Sequence, residues 1–439
     1  MRTELVINWD HYEEHLDEAA FLWSQWEHAL VAPDQVLSEV ADTEERLFAR
    51  LDGLVLGGTP VTERLLLPAL ESDEPERVTA ATYTLLSQEF PGGAELVRAA
   101  LDTATPPTLA AVQRALEVSE KGALLAWLPD LLEFEAPALQ ALALDVLCSQ
   151  GRDTGVALAR LLKHEEPRVV AAALRLSARL NHRLERDFLE RVLASPSPAV
   201  RDAAIEAGLL GNHRAAWLMC RAVVEGRAPQ LRFPALLLAL GGNEQDLSLL
   251  RRLLSVPEHR PDVLWALGFS GQPVCADACL EWMEDDEVAR LAAEAFCAIT
   301  GLRLEGRFVD SPEEEGDVLV ALEEEDLDAD LSSKPEDALP YPRAAVVAAW
   351  WEEERHKRFS PGQRYLYGRP FSPEWLLEVS ERAPMRRRHA LALDVALRSR
   401  GLIRIPTRTF THHTQAALLA ARSAPMSRLS RLFTEGLYT

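Results

Sequence analysis

Residues 198–212 read PAVRDAAIEAGLLGN, and this segment decides the fold. Proline at a first helical position gives up no needed hydrogen bond, and its fixed φ suits the helix. Apolar residues then fill one helical face, and glycine and asparagine, which tolerate a left-handed cap, close the segment. The pattern recurs. Prolines stand at Pro75, Pro107, Pro137, Pro167, Pro198, Pro229 and Pro261, at intervals of 30 to 32 residues. Each opens a similar amphipathic stretch, with Gly151, Asn181, Gly211 and Gly241 as closing residues. Second apolar stretches lie between them, such as TGVALARLLKHEE from Thr154 and RAAWLMCRAVVEG from Arg214. The unit is therefore a helix pair, too small to hide its apolar side except by stacking on its neighbours. Alanines such as Ala141, Ala143 and Ala171 to Ala173 allow close helix approach. DEVARLAAEAFCAITG, from Asp286, reads as a final unit, giving seven or eight.

The expected fold is all-α: an α-α superhelix, stacked right-handed, with a helical N-terminal cap and a small helical C-terminal domain. The expected divisions are a cap over 1–59, repeats over 60–303, an acidic linker over 304–339 and a basic helical domain over 340–439. Composition agrees, since 48% of the 439 residues are hydrophobic and 26% charged, as in a folded soluble chain. No stretch of eighteen apolar residues occurs, and the start has no basic region followed by an apolar run, so a cytoplasmic protein off the membrane is expected. The five cysteines are odd in number and scattered, which fits a reducing compartment.

The formal charge of -23 argues against a nucleic-acid partner. It is unevenly placed. Residues 340–439 carry 17 Arg and Lys against 8 Asp and Glu, and the preceding 339 carry 29 against 61, so the two parts should attract. The densest positive run is Arg386, Arg387 and Arg388, followed by His389, and an internal or protein acidic partner is favoured over phosphate. RFSPGQRYLYGRPFSPEWLLEVS, from Arg358, is aromatic and basic, and Arg364, Tyr365, Tyr367 and Arg369 are candidate partner contacts. In the N-terminal helix, Trp23 and Trp26 share an apolar face that should cover the first repeat; were they exposed, they would mark a partner site.

Catalytic patterns are sparse. His11, Glu14 and His15 spell the inverted zinc-protease arrangement, but no third ligand follows by spacing, so no metal is assigned. Cys275 and Cys279 lie one turn apart without a second pair, and core packing is the expectation. His412 and His413 precede a helix, where a cap or surface role is the default. Phosphate-loop, dinucleotide and nucleophile-elbow motifs are absent from the sequence, so neither catalytic residues nor cofactors are assigned.

Pro198, Val200, Arg201 and Ala204 nearly complete the P-x-V-R-x-x-A signature, and the repeats over roughly residues 60–300 resemble the short HEAT repeats of bilin lyase-type proteins. His164 and Glu165 are similar to one His-Glu pair of the di-iron HEAT hydroxylases, which need four; the repeats hold only this one. HLDEAAFLW from His15, ERLFARLDGLVLGG from Glu45, RFSPGQRYLYGRP from Arg358 and RRRHALALDVAL from Arg386 resemble an uncharacterised proteobacterial family, common in myxobacteria. What that resemblance implies is a HEAT-repeat protein encoded near type VI secretion genes, among spike-tip and adaptor proteins. The functional expectation is a non-enzymatic protein-binding scaffold or adaptor, accessory to effector or spike loading. The alternative is a modifying enzyme or lyase-like module with a pocket between solenoid and C-terminal domain, using His356, His389 or His412.

Overall fold

The computed structural model describes residues 7–87, 92–119, 126–155, 157–310, 335–435 and 437. It is an all-α chain of successive helix pairs, and a single two-residue hairpin supplies the named strands among the described residues. Prolines open the helices Pro75–Ser87, Pro106–Val118, Pro137–Gln150, Pro167–Arg179 and Pro198–Leu210, and Pro261 is the second residue of Arg260–Leu267. At Pro229 the expectation shifts. Gln230 takes φ 59°, and the helix opens three residues late, at Arg232–Gly241. The closing residues also divide. Gly151 and Asn181 are left-handed as expected, but Asn212 replaces Gly211 in that role, and Gly241 lies inside its helix.

The chain forms two compact units. The first takes in residues up to Leu30, Gln35–Ala216 and Arg400–Ala420. In it, helices Trp9–Ala29 and Leu37–Leu56 pack as a pair, and Trp9–Ala29 also covers Pro75–Ser87. The proline-started helices from Pro75 to Pro198 then stack each on the next. Alanine makes this close stacking possible: Ala141, Ala143, Ala172 and Ala173 are fully buried between neighbouring helices.

The second unit takes in Val31–Asp34, Trp217–Ser399 and the chain from Ala421. Helices Arg232–Gly241, Arg260–Leu267 and Ala289–Thr300 form its stack, backed by Glu244–Leu253 and Pro273–Leu280. Helix Ala344–Arg358 lies on Pro273–Leu280, where Asp277 accepts from Trp351 Nε1 at 2.7 Å and from Arg355 Nε at 2.7 Å. Helices Pro373–Arg382 and Met385–Arg398 complete the unit. The expected division is redrawn: residues 340–439 do not form one body, because 400–420 belong to the unit built by the N-terminal helices. Most of the acidic linker, residues 311–334, lies outside the described residues. Its flanks pair, with Val309 bridging Pro342 and Asp310 N donating to Tyr341 O at 3.1 Å.

Candidate functional site

In the first unit the notable element is the segment GLIRIPTRTF, residues 401–410, which crosses the ends of the repeat helices in reverse chain order. A helix leaves its last carbonyls without partners, and arginine is suited to meet them. Arg400 donates to Leu209 O at 3.0 Å, and Arg404 donates to Ala178 O. Two repeats further on, Arg114 donates to Arg408 O at 2.8 Å. Entry requires left-handed backbone at Arg400 (φ 53°) and Gly401 (φ 75°), and a Cβ on Gly401 would lie 2.2 Å from Asn181 Oδ1. Carboxylates line the same ends. Burial pushes the Glu206 carboxyl up, opposed by Arg404 and Arg175, and burial does the same at Glu117, opposed by Gln113 and Arg114.

The segment ends in an aromatic cluster. The Phe410 ring, fully buried, lies 4.7 Å from Trp26 and 4.7 Å from Phe48 between ring centroids, with Tyr83 at 5.6 Å and Trp23 at 6.2 Å. Beside it Glu44, 3% exposed, receives Trp26 Nε1 at 2.8 Å, Thr411 N at 2.9 Å and Thr411 Oγ1 at 2.5 Å. Thr411 begins helix Thr411–Arg422, so a carboxylate from residue 44 caps a helix N-terminus 367 residues away. Burial raises the Glu44 pKa, and the bonds from Thr411 and Trp26 oppose that rise.

In the second unit the feature is an arginine cluster interleaved with aromatic rings. Hairpin Tyr365–Leu366/Arg369–Pro370 turns through Tyr367 (φ 47°) and Gly368 (φ 77°), the pair of left-handed residues that a two-residue turn needs. Its backbone is tied to the stack through Tyr365 N to Gly271 O, Tyr367 N to Ala298 O and Gly368 N to Ile299 O. That docking carries Arg364 to Asp394, which is fully buried on helix Met385–Arg398 and also pairs with Arg398 at 2.7 Å. The guanidinium carbons of Arg364 and Arg398 lie 4.7 and 4.4 Å from the Phe371 centroid, and that of Arg387 lies 3.9 Å from Phe269. Asp394 bridges two cations at hydrogen-bonding distance. Glu294 faces Arg386 and Arg387 at 3.4 and 3.6 Å, outside good hydrogen-bond reach. Nε and Nη1 of Arg364 and Nη2 of Arg398 are buried and have no hydrogen-bond acceptor among the described residues. An unmet buried donor costs about 1–3 kcal/mol.

The expected partner contacts are accordingly redistributed. Trp23 and Trp26 are 1% and 0% exposed, so they are core residues and not a partner patch. Arg386, Arg387 and Arg388 are buried too, drawn inward by Glu294, Glu336 and the Ser380 carbonyl. Burial pushes the Arg388 guanidinium down to about 10, and the charge of Glu381 opposes the fall. Tyr365 is buried, its hydroxyl accepting from Ser360 N, and burial pushes the Tyr367 phenol up to about 12. Arg364 is pinned by Asp394, which leaves Arg369 as the exposed member, stacked 4.2 Å from the Trp375 ring centroid.

His11 and His15 do meet, Nε2 to Nε2 at 3.0 Å. Arg50 approaches His15 Nδ1 at 3.4 Å, and a guanidinium can only donate there. Nδ1 is then the acceptor and Nε2 carries the proton towards His11, the reverse of a zinc-bound imidazole whose Nδ1–H faces a carboxylate. Burial and the neighbouring His11 and Arg50 hold the His15 pKa below its ordinary value. His164 Nδ1 accepts from Glu166 N at 2.9 Å, a local turn. Burial raises the Cys275 thiol to about 11 and the Cys279 and Cys297 thiols as well, so all three behave as apolar fillers. His356 and His389 belong to the second unit and His412 to the first. No group of three metal-ligating side chains occurs among the described residues. Sequence reading missed Glu44, Phe410 and Asp394; the only local sign was a carboxylate on the apolar face of its helix, at Glu44 between Val40 and Leu47.

No known family model matches the chain, and no curated protein matches it. Among solved structures, the chain is similar to human deoxyhypusine hydroxylase in complex with glycerol, at 20% identity over 54% of this chain and 98% of that one. The TM-score is 0.25, and at that level the likeness has no weight for fold or function.

Proposed function

We propose that the chain is a non-enzymatic scaffold or adaptor for basic protein partners, acting as an accessory to spike or effector loading in a type VI secretion pathway. One observation supports the reading above others: the densest arginines of the C-terminal stretch, Arg386 to Arg388 among them, are turned inward, although others such as Arg369, Arg382 and Arg428 stay exposed. Arg364, Arg386, Arg387, Arg388 and Arg398 are buried or nearly so, and Arg400 and Arg404 are bonded to backbone carbonyls. With a formal charge of -23, the exposed surface is left acidic. Stacked helix pairs offer an extended surface without a deep pocket, and an acidic field steers basic partners to it. Because residues 400–411 already cover the helix ends of the first unit, the partner surface lies on the remaining helix faces. The secretion setting rests on the resemblance of the terminal segments.

The test is affinity purification of the tagged full chain from its native host at low salt, followed by mass spectrometry and a salt wash. A spike, effector or adaptor protein with a basic surface, released by about 0.5 M salt, is the expected result. Recovery of nothing above background, or a stoichiometric metal in the purified protein, would count against the scaffold.

A further inference from the structure

We infer that residues 400–411 act as a tie that makes the first unit open as one body instead of one helix pair at a time. The inference is independent of the scaffold reading, because it concerns only how this unit yields. In a plain stack each pair touches its two neighbours, so stability is a sum of local contributions and the ends loosen first. Here one short segment reaches helices that are not neighbours. Arg400 donates to Leu209 O in helix Pro198–Leu210 at 3.0 Å, and Arg404 donates to Ala178 O in helix Pro167–Arg179. Just beyond that second helix, Asn181 Nδ2 donates to Gly401 O at 3.4 Å. Arg114 of helix Pro106–Val118 gives Nη1 to Arg408 O at 2.8 Å and Nε to Glu27 of helix Trp9–Ala29 at 2.5 Å, so three elements meet at a single guanidinium. Phe410 then packs on Tyr83 of helix Pro75–Ser87, and Thr411 is held by Glu44 of helix Leu37–Leu56.

Both ends of the stack are thus joined through one segment. From Leu402 to Phe410 that segment has no helix of its own, while Ile403, Ile405 and Phe410 are buried, so its order comes from the helices it crosses. An end helix can then leave in two ways. It either strands a guanidinium and a helix-end carbonyl, or it pulls the segment away from the helices at the other end. Hydrogen bonds from a charged donor are the stronger kind, so neither way is as easy as the loosening of an untied pair.

The experiment is native-state hydrogen exchange of the full-length protein in rising, sub-denaturing urea, read helix by helix. The slowest amides of helices Trp9–Ala29, Pro106–Val118, Pro167–Arg179 and Pro198–Leu210 should share one opening free energy and one urea slope. The double variant Arg400→Met, Arg404→Met frees the last two of these helices from the segment. Their amides should then exchange roughly tenfold faster than those of Trp9–Ala29, and with a smaller slope. Arg186→Met, which removes an exposed ion pair with Glu190 on helix Arg186–Leu193, should keep the single opening. Should the double variant not fold, the native measurement decides by itself. A graded series of openings along the stack in the native protein would overturn the inference. So would a double variant whose four helices still open together, or the same split in Arg186→Met.

Discussion

Replacing Glu44 tests whether the C-terminal segment is held by the N-terminal helices. Glu44→Ala removes the acceptor of Trp26 Nε1–H, Thr411 N–H and Thr411 Oγ–H together. The hydroxyl can turn to another partner, but the two N–H groups cannot. Each stranded donor costs about 1–3 kcal/mol, and relief of the buried charge returns part of it, so a loss of about 3 kcal/mol is expected. Glu44→Gln behaves differently. Its oxygen keeps Trp26 and Thr411 N, while its amide faces Thr411 Oγ1, which can accept, so the loss is about 1 kcal/mol or less. Burial raises the native pKa of Glu44 above its ordinary value of 4.5. A raised carboxyl pKa contributes stability below about pH 4.5 that is lost as pH rises through the native value, so the native chain's advantage over Gln should shrink as pH rises above about 4.5. Hydrogen exchange of helix Trp9–Ala29 reads the effect in the first unit without assuming one transition for the chain. If Glu44→Ala lies within 0.5 kcal/mol of the native protein, the reasoning is wrong.

Asp394→Asn strips Arg364 and Arg398 of their shared counter-charge and should cost about 3–5 kcal/mol in denaturant unfolding of the second unit. Gly241→Ala should destabilise by about 1–3 kcal/mol, because its Cβ would lie 2.4 Å from the Phe433 ring; a solvent-facing helical glycine would instead gain from alanine, so the sign alone decides. His15 has a pKa lowered chiefly by burial and in part by His11, so its contribution is present above about pH 6.5 and lost as pH falls, and His11→Gln should make that loss shallower.

The sequence exposed what is local and periodic. Proline at first helical turns and alanine at contact positions determine each helix pair from within some thirty residues, and the helices from Pro137, Pro167 and Pro198 begin where those prolines stand. Pro229 failed because a proline may equally sit in the turn before a helix, here beside left-handed Gln230. What the sequence hid was distance. Arg400 and Arg404 look like scattered surface charge until helix-end carbonyls some two hundred residues earlier are brought beside them. Arg386 to Arg388 read as a positive surface for the same reason, since nothing near them in the chain announces Glu294. The tryptophans were legible as a face, and the Phe410 ring among them was not, because it arrives from the far end of the chain.

Residues 400–420 are part of the body built by the N-terminal repeats. Amide exchange at Thr411, whose N–H is given to buried Glu44, tests it most directly. This amide should exchange as slowly as the core amides of helices Trp9–Ala29 and Leu37–Leu56, and open with them. Exchange at the rate of an unprotected chain, with those helices still protected, would contradict it.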